Sequence, residues 1–418
     1  MEPAQGSAIP NFEVTALIER LKEILSAPDP AAPATRQHLK ETADRLSLAL
    51  ETPGETVQRV AYYPMRTTVV RIANRLQIFH ILVKSNVPVT GKELAQRTGA
   101  DHTLLLRLLR HLAAMHAIDE SGVDSYVANN VTNNLIIPPL EAGINHTYDL
   151  VGTATMALPS FLAKNKYQNP TDPKDCASQE GFHTQDNLFE WFPKHPEYLN
   201  NFNLWMTGQR EGRANWLDFF PFEERVSKDF KRGDGAVMLI DVGGARGHEI
   251  KAIKKKYPAL PGRILLQDLP DTVQQALPVP GMETVVHDFF TAQAHQWSVP
   301  QPHNLQPLIL IYQSGARAYY LRNVLHDWPD DKCQIILSQL ASAMTPGYSK
   351  IILNELVLPD QGCGLVAAQV DLTMMVCLAA TERSESQWHE VVDGAGLKIE
   401  KIWTHLPESE SIIELVLK

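Results

Sequence analysis

Val237-Met-Leu-Ile-Asp-Val-Gly-Gly-Ala-Arg-Gly247 decides the fold. An apolar run stops at paired glycines, and a basic helix-forming segment continues through Tyr257. Glycine at a strand-to-helix turn lets the backbone adopt a left-handed conformation and approach a ligand closely. The same grammar recurs in 264–269, 284–288, 316–325 and 351–358. Near-continuous apolar strands separated by helices predict a parallel sheet covered on both faces. The last two runs, 397–403 and 411–417, have no helix between them, so at least one strand runs antiparallel. The expected class is α/β, a doubly wound sheet with a C-terminal antiparallel strand.

Upstream the periodicity is helical. Gly91–Ala100 reads as a short helix and glycine turn, 104–112 as a second helix, and 122–128 as a small hairpin, a winged-helix pattern. Such a motif raises a nucleic-acid reading, with Arg107 and Arg110 meeting phosphates. The second helix carries Leu104, Leu105, Leu106, Leu108, Leu109 and Leu112, too apolar all round to read a groove. Burial against a second subunit explains it better, so a homodimer without nucleic acid is expected. Residues 136–230 alternate apolar helical segments with loops and carry Trp191, Trp205, Met206, Trp216, Phe219 and Phe220. Most of these suit a core, and some suit the wall of a flat apolar pocket. The expected division is 1–135 (helical and winged-helix), 136–230 (linker and pocket segment) and 231–418 (the sheet).

Among 418 residues, 38 Lys and Arg face 48 Asp and Glu, a net charge of −10 that disfavours nucleic acid and anionic membranes. No stretch reaches the roughly 18 apolar residues of a membrane-spanning helix. Met1–Gly6 lacks the basic-then-apolar pattern of a signal peptide, and a cytoplasmic location is expected. Cys176, Cys333, Cys363 and Cys377 have no metal-site spacing, so reduced thiols and no metal are expected.

The chemistry gathers at strand ends. Gly243 and Gly244 close the first strand, and Asp268 closes the next, where a carboxylate can accept both hydroxyls of a ribose. Ala245 replaces a glycine of the pyrophosphate fingerprint, and no P-loop lysine follows, so the nucleoside bound there carries no phosphates to cradle. Asp288 and Phe289 add an acceptor and a flat ring for an adenine edge and face. A phosphate-free nucleoside cofactor at the switch point of such a sheet points to S-adenosyl-L-methionine. Leu321-Arg-Asn-Val-Leu-His-Asp-Trp-Pro-Asp-Asp-Lys332 puts His326 after a strand and before a helix start, with Pro329 suited to its first position. A base there has a rigid mount.

Six ordered stretches then resemble one family: 241–249, 266–270, 287–290, 321–328, 354–355 and 381–385. Over residues 60–418 the chain is similar to class I methyltransferases of the plant caffeate-type O-methyltransferase family, in its fungal branch. The resemblance implies a Rossmann-like methyltransferase sheet, an intertwined dimer through the winged-helix part, and S-adenosylmethionine as methyl donor. It makes His326 the general base for a substrate hydroxyl and Glu355 and Glu382 the carboxylates that flank it. It also implies that Arg322 and Asp327 settle the cofactor, although an ordinary strand-end ion pair fits them too. The implied substrate is a phenolic or enolic hydroxyl of a small aromatic or polyketide-type metabolite. Trp205, Met206, Met374 and Met375 are candidates for its pocket, methionine adapting well to irregular apolar surfaces. A phenol, with a pKa near 10, needs such a base at neutral pH.

Ala245 and the stretch 294–314 depart from the family pattern, the latter adding about 20 residues before the fourth strand. Fungal relatives of this family include pericyclases that bind the same cofactor and steer cyclisations. Intact His326, Glu355 and Glu382 favour methyl transfer.

Overall fold

The computed structural model describes residues 11–26, 29, 32–208, 215–293, 296–299, 308–311, 315–406 and 409–418. The chain divides into two compact units, Met1–Tyr148 with Asn201–Gln209, and Asp149–Asn200 with Arg210–Lys418. The 136–230 stretch is thus shared between them.

The first unit is helical: α1 (Asn11–Leu25), α2 (Pro33–Ala49), α3 (Pro53–Ala61), α4 (Tyr63–Arg75), α5 (Ile78–Val83), α6 (Gly91–Thr98) and α7 (His102–Ala114). Three short antiparallel strands, β1 (Val89–Thr90), β2 (Asp119–Gly122) and β3 (Ser125–Val127), form the wing in the order β1-β3-β2. Thr90 and Asp101 accept the Glu93 and Leu104 amides and so cap α6 and α7. One face of the leucine-rich α7 is core, while Leu104 is exposed. Leu105, Leu109 and Leu112 recur on one helical face and are fully buried against Ile78, Phe79, Leu82 and Leu94. A run of exposed apolar side chains lies earlier: α3 buries no residue, and Val57, Val60, Tyr62, Tyr63, Met65 and Ile72 are exposed.

The second unit holds a mixed sheet: β4 (Val237–Val242), β5 (Arg263–Asp268), β6 (Met282–Val286), β9 (Ala318–Arg322), β10 (Lys350–Leu358), β12 (Leu397–Thr404) and β13 (Glu410–Leu417). Their order is β12-β13-β10-β9-β4-β5-β6, with β11 (Arg383–Ser384) pairing parallel to the end of β10. Every pair is parallel except those of β13, which runs antiparallel to β10 and β12. Side chains alternate across the pleat. Tyr319, Leu321, Ile351 and Leu353 pack on one face with Ile336, Leu340 and Trp388, while Ala318, Tyr320 and Ile352 pack on the other with Trp216, Ile250 and Ile253. Both faces are apolar, which is why the strands read as continuous apolar runs. Of the 294–314 insertion only β7 (Gln296–Val299) and β8 (Leu308–Ile311) are described, an antiparallel pair apart from this sheet. The rest of it lies outside the described residues.

Chain order leaves β4 for β5 on one side and returns as β9 on the other, so the crevice between the carboxyl ends of β4 and β9 is the switch point. Gly243 follows one strand and Val324 the other.

Candidate active site

Gly243 takes φ +67°, and a Cβ there would lie 3.0 Å from Val324 Cγ2 and 3.6 Å from the Phe289 ring. Only glycine keeps that cradle open. Gly244 serves packing: an added Cβ would meet the Asp241 carboxylate at 2.4 Å and Leu266 at 2.6 Å. Ala245 sits at φ +50° and donates its N–H to Asp268 Oδ2 at 2.9 Å, while Leu269 N–H meets Oδ1 at 2.7 Å. Each oxygen keeps acceptor capacity for a hydroxyl. Burial raises the Asp268 pKa, with the two amides and the Thr272 hydroxyl opposing. Asp288 caps its own turn through Phe290 N–H at 3.0 Å, and Phe289 packs edge-on against Phe290 and Trp328. A bare glycine backbone, a half-buried carboxylate and an aromatic face at the switch point fit a nucleoside without phosphates.

Arg322 forms the strand-end ion pair that also fits its place in the motif. Its guanidinium bonds Glu249 and, at 2.8 Å, Glu410, and Trp216 Nε1 donates to the other Glu249 oxygen at 2.9 Å. It ties the helix His248–Lys256 to β13.

Beyond β9 the chain turns sharply. Asn323 is left-handed at φ +50° and donates its N–H to Asn354 O at 3.1 Å, and Leu325–Asp327 form a single 3₁₀ turn. The strand therefore ends earlier than its apolar run, and Pro329 is the N-cap of the following helix, Asp330–Ala343. The two expected carboxylates both converge on this turn, with different tasks. Glu382 Oε1 lies 2.8 Å from His326 Nδ1. Glu355 Oε1 instead accepts the backbone N–H groups of Val324 (3.0 Å) and Leu325 (2.9 Å). One carboxylate addresses the ring and the other the backbone that carries it. Asp327 Oδ1 stands 3.4 Å from Nε2.

All three carboxylates sit in a poorly solvated pocket around one imidazole. Burial pulls the His326 pKa down, but the charges of Asp327, Glu382 and Glu355 outweigh it and push the value up to about 10. Burial pushes Glu355 up to about 7 despite the imidazole beside it, and raises Asp327 as well. Glu355 Oε2 and Glu382 Oε2 are buried and have no partner among the described residues. A carboxylate on Nδ1 fixes the tautomer that leaves Nε2 with a lone pair.

Three neighbours escaped the sequence reading. Arg383, 1% exposed, spans the turn: Nη1 donates to Leu325 O at 3.0 Å, Nη2 to Trp328 O at 2.7 Å, and Nε to Asp330 at 2.8 Å. Cys333 Sγ donates to the same two carbonyls at 3.1 and 3.3 Å. Asp371, on the helix Leu365–Leu378, accepts the Glu382 N–H at 2.9 Å. The signal for Arg383 was its place directly after Glu382, since neighbours in an extended segment point to opposite sides. Met374 and Met375 lie half-buried on the same helix as Asp371. Trp205 and Met206 belong to the first unit, where the Trp205 ring lies over Gly143, within 2.4 Å of where a Cβ would stand.

Residues 309–398 match the O-methyltransferase domain, and residues 59–136 match the O-methyltransferase dimerisation domain. The methyltransferase cfoC of Aspergillus candidus is 40% identical over 405 residues, 96% of each chain. The demethylsterigmatocystin 6-O-methyltransferase of Aspergillus flavus is 34% identical over 381 residues, covering 91% of this chain and 92% of its own. Among solved structures, LepI in complex with SAM superposes with a TM-score of 0.81 at 30% identity, over 98% of this chain and 100% of that one. A structure described as a pericyclic reaction enzyme superposes equally well, at 0.81 and 30% over 97% and 99%. Among the described residues, no helix is long and apolar enough to cross a membrane. The chain therefore belongs to the S-adenosylmethionine-dependent O-methyltransferase family, in the branch of these fungal secondary-metabolism enzymes, and carries that family's dimerisation domain.

Proposed function

We propose that the protein methylates a phenolic or enolic hydroxyl of a small aromatic or polyketide-type metabolite, with His326 as general base, as a cytoplasmic homodimer. The observation that carries this reading is the 2.8 Å contact between Glu382 and His326 Nδ1, on a turn whose amides Glu355 holds. Gly243, Asp268, Asp288 and Phe289 would hold the cofactor, with Gly244 letting the turn pack against Asp241 and Leu266 and Asp327 close by. When bound, it supplies an electrophilic methyl group on a sulfonium whose charge disfavours a second cation at His326. Nε2 of His326 would take the hydroxyl proton and so free the oxygen to accept the methyl group, the sulfonium–methyl bond breaking to leave a neutral thioether. Nδ1–H donates to Glu382, which stabilises the imidazolium that results. Glu355, Arg383 and Cys333 keep the turn from moving, so the base stays aligned with the attacking oxygen. The half-buried Met374 and Met375 suit a flat ring.

The experiment is His326→Ala. Cofactor affinity, read by calorimetry with S-adenosylhomocysteine, stays near normal, and methyl transfer falls by about 10²–10⁴-fold. The likeness to a pericyclic reaction enzyme motivates a second reading, cyclisation without methyl transfer. It wins if the variant forms product at the original rate and that product carries no added methyl group.

A further inference from the structure

We infer that Asp371 is a positioning residue for methyl transfer: from the helix Leu365–Leu378 it accepts the Glu382 amide and the Thr381 hydroxyl, and so sets the Glu382 carboxylate against Nδ1 of His326. This rests on the reading of Glu382 and His326 as a working pair.

The geometry is specific. Asp371 Oδ1 takes two donors at once, Glu382 N–H at 2.9 Å and Thr381 Oγ1 at 3.0 Å. The helix ends just before them. Ala379 is left-handed at φ +51° and returns its N–H to Met375 O at 3.2 Å, and Ala380 N–H meets Met374 O at 3.3 Å. That cap reverses the chain, so residues 381 and 382 come back alongside Asp371. On the far side of Glu382, Arg383 enters β11 and its guanidinium grips the carbonyls of the His326 turn. Glu382 is therefore held from both directions, Asp371 acting from the N-terminal side. Without that acceptor, the Glu382 amide would lose its partner and the backbone that aims the carboxylate would be free to rotate.

The same helix carries Met374 and Met375 three and four residues on from Asp371, which is the spacing of one helical face. Acceptor-side residues and the orienter of the base thus share one rigid element.

The charged and titratable groups around His326 are Asp327 from its own turn, Glu355 from β10 and Glu382 from the loop. Arg383 and Cys333 stand behind the turn backbone. If Asp371 aims Glu382, its loss changes the titration of His326 without touching the ring. The test uses full-length protein labelled at histidine Cε1, with the His326 signal assigned by its loss in His326→Gln. In the native protein the charges of Asp327, Glu382 and Glu355 should push the His326 midpoint up to about 10. Asp371→Ala lowers that midpoint by about one pH unit or more, as Glu382→Gln does. Asp371→Asn, which keeps an acceptor oxygen in place, titrates as the native protein. Asp371→Glu keeps the charge but moves the acceptor, and it lowers the midpoint like alanine. Binding of S-adenosylhomocysteine reports folding, and if the alanine variant fails it, the asparagine and glutamate variants decide. Asp371→Ala or Asp371→Glu titrating as the native protein, while Glu382→Gln drops, overturns the proposal and leaves the His326–Glu382 pair standing. No drop in Glu382→Gln overturns both.

Discussion

Glu382→Gln tests the base with an almost isosteric change. Glu382 is 3% exposed; Oε1 faces His326 Nδ1 at 2.8 Å, and Oε2 has no partner among the described residues. A glutamine must put its NH₂ in one of these positions and its oxygen in the other. With the NH₂ where Oε2 stands, its donors are buried unpaired, at a cost of about 1–3 kcal/mol. Turned over, the NH₂ donates to Nδ1 once the imidazole is neutral, and this arrangement wins for the form that acts as base. The hydrogen of the neutral imidazole then moves to Nε2, the nitrogen that must accept the substrate's proton. Loss of the charge also removes a charge-assisted bond, about twice as strong as a neutral one. A positioned base contributes about 10²–10⁴-fold, so a wrong tautomer should lower kcat by on the order of 10³ or more. The assay follows labelled methyl from the cofactor into an acceptor from the host's metabolite extract, over a range of pH. The neutral base grows with pH, so native kcat/KM should climb toward the His326 value of about 10. The midpoint should fall in the variant, where one charge supporting the imidazolium is gone. Activity within a factor of about ten of native, with an unmoved midpoint, would refute the reasoning.

Asp268→Ala should abolish binding of S-adenosylhomocysteine by calorimetry, because it removes the ribose acceptor and also the carboxylate that pins Ala245 N–H. Unchanged affinity would mean the ribose is held elsewhere. The exposed apolar side chains of α3 and α4 should be covered by a second copy, so sedimentation should find a dimer. A stable monomer at micromolar concentration would count decisively against it.

Much of this molecule was written in local pattern. The parallel sheet was legible because both faces of β4, β5, β9 and β10 are buried, which removes polar alternation from those strands. His326, Glu355 and Glu382 were legible as members of motifs, the first just beyond β9, the second within β10 and the third just before β11. Where α7 points was not legible. Its leucines looked available to a partner, yet Leu105, Leu109 and Leu112 fill their own unit's core, and the exposed surface lies on α3 and α4. Periodicity shows that a face is apolar and is silent on what covers it. Equally hidden was the division of labour between the two glutamates. Both have the same chemistry in sequence, and only the register of β10 against β9 turns Glu355 toward two backbone amides and leaves Glu382 for the ring. Arg322 and Asp371 make the same point from opposite sides. Arg322 stands in a signature motif and is taken up by Glu249 and Glu410, while Asp371 stands in an ordinary helix and meets Glu382, eleven residues on, because a left-handed Ala379 folds the chain back. Sequence spacing sets which residues can share a strand or helix face, and the contacts that aim a catalytic side chain arise from how separate elements meet.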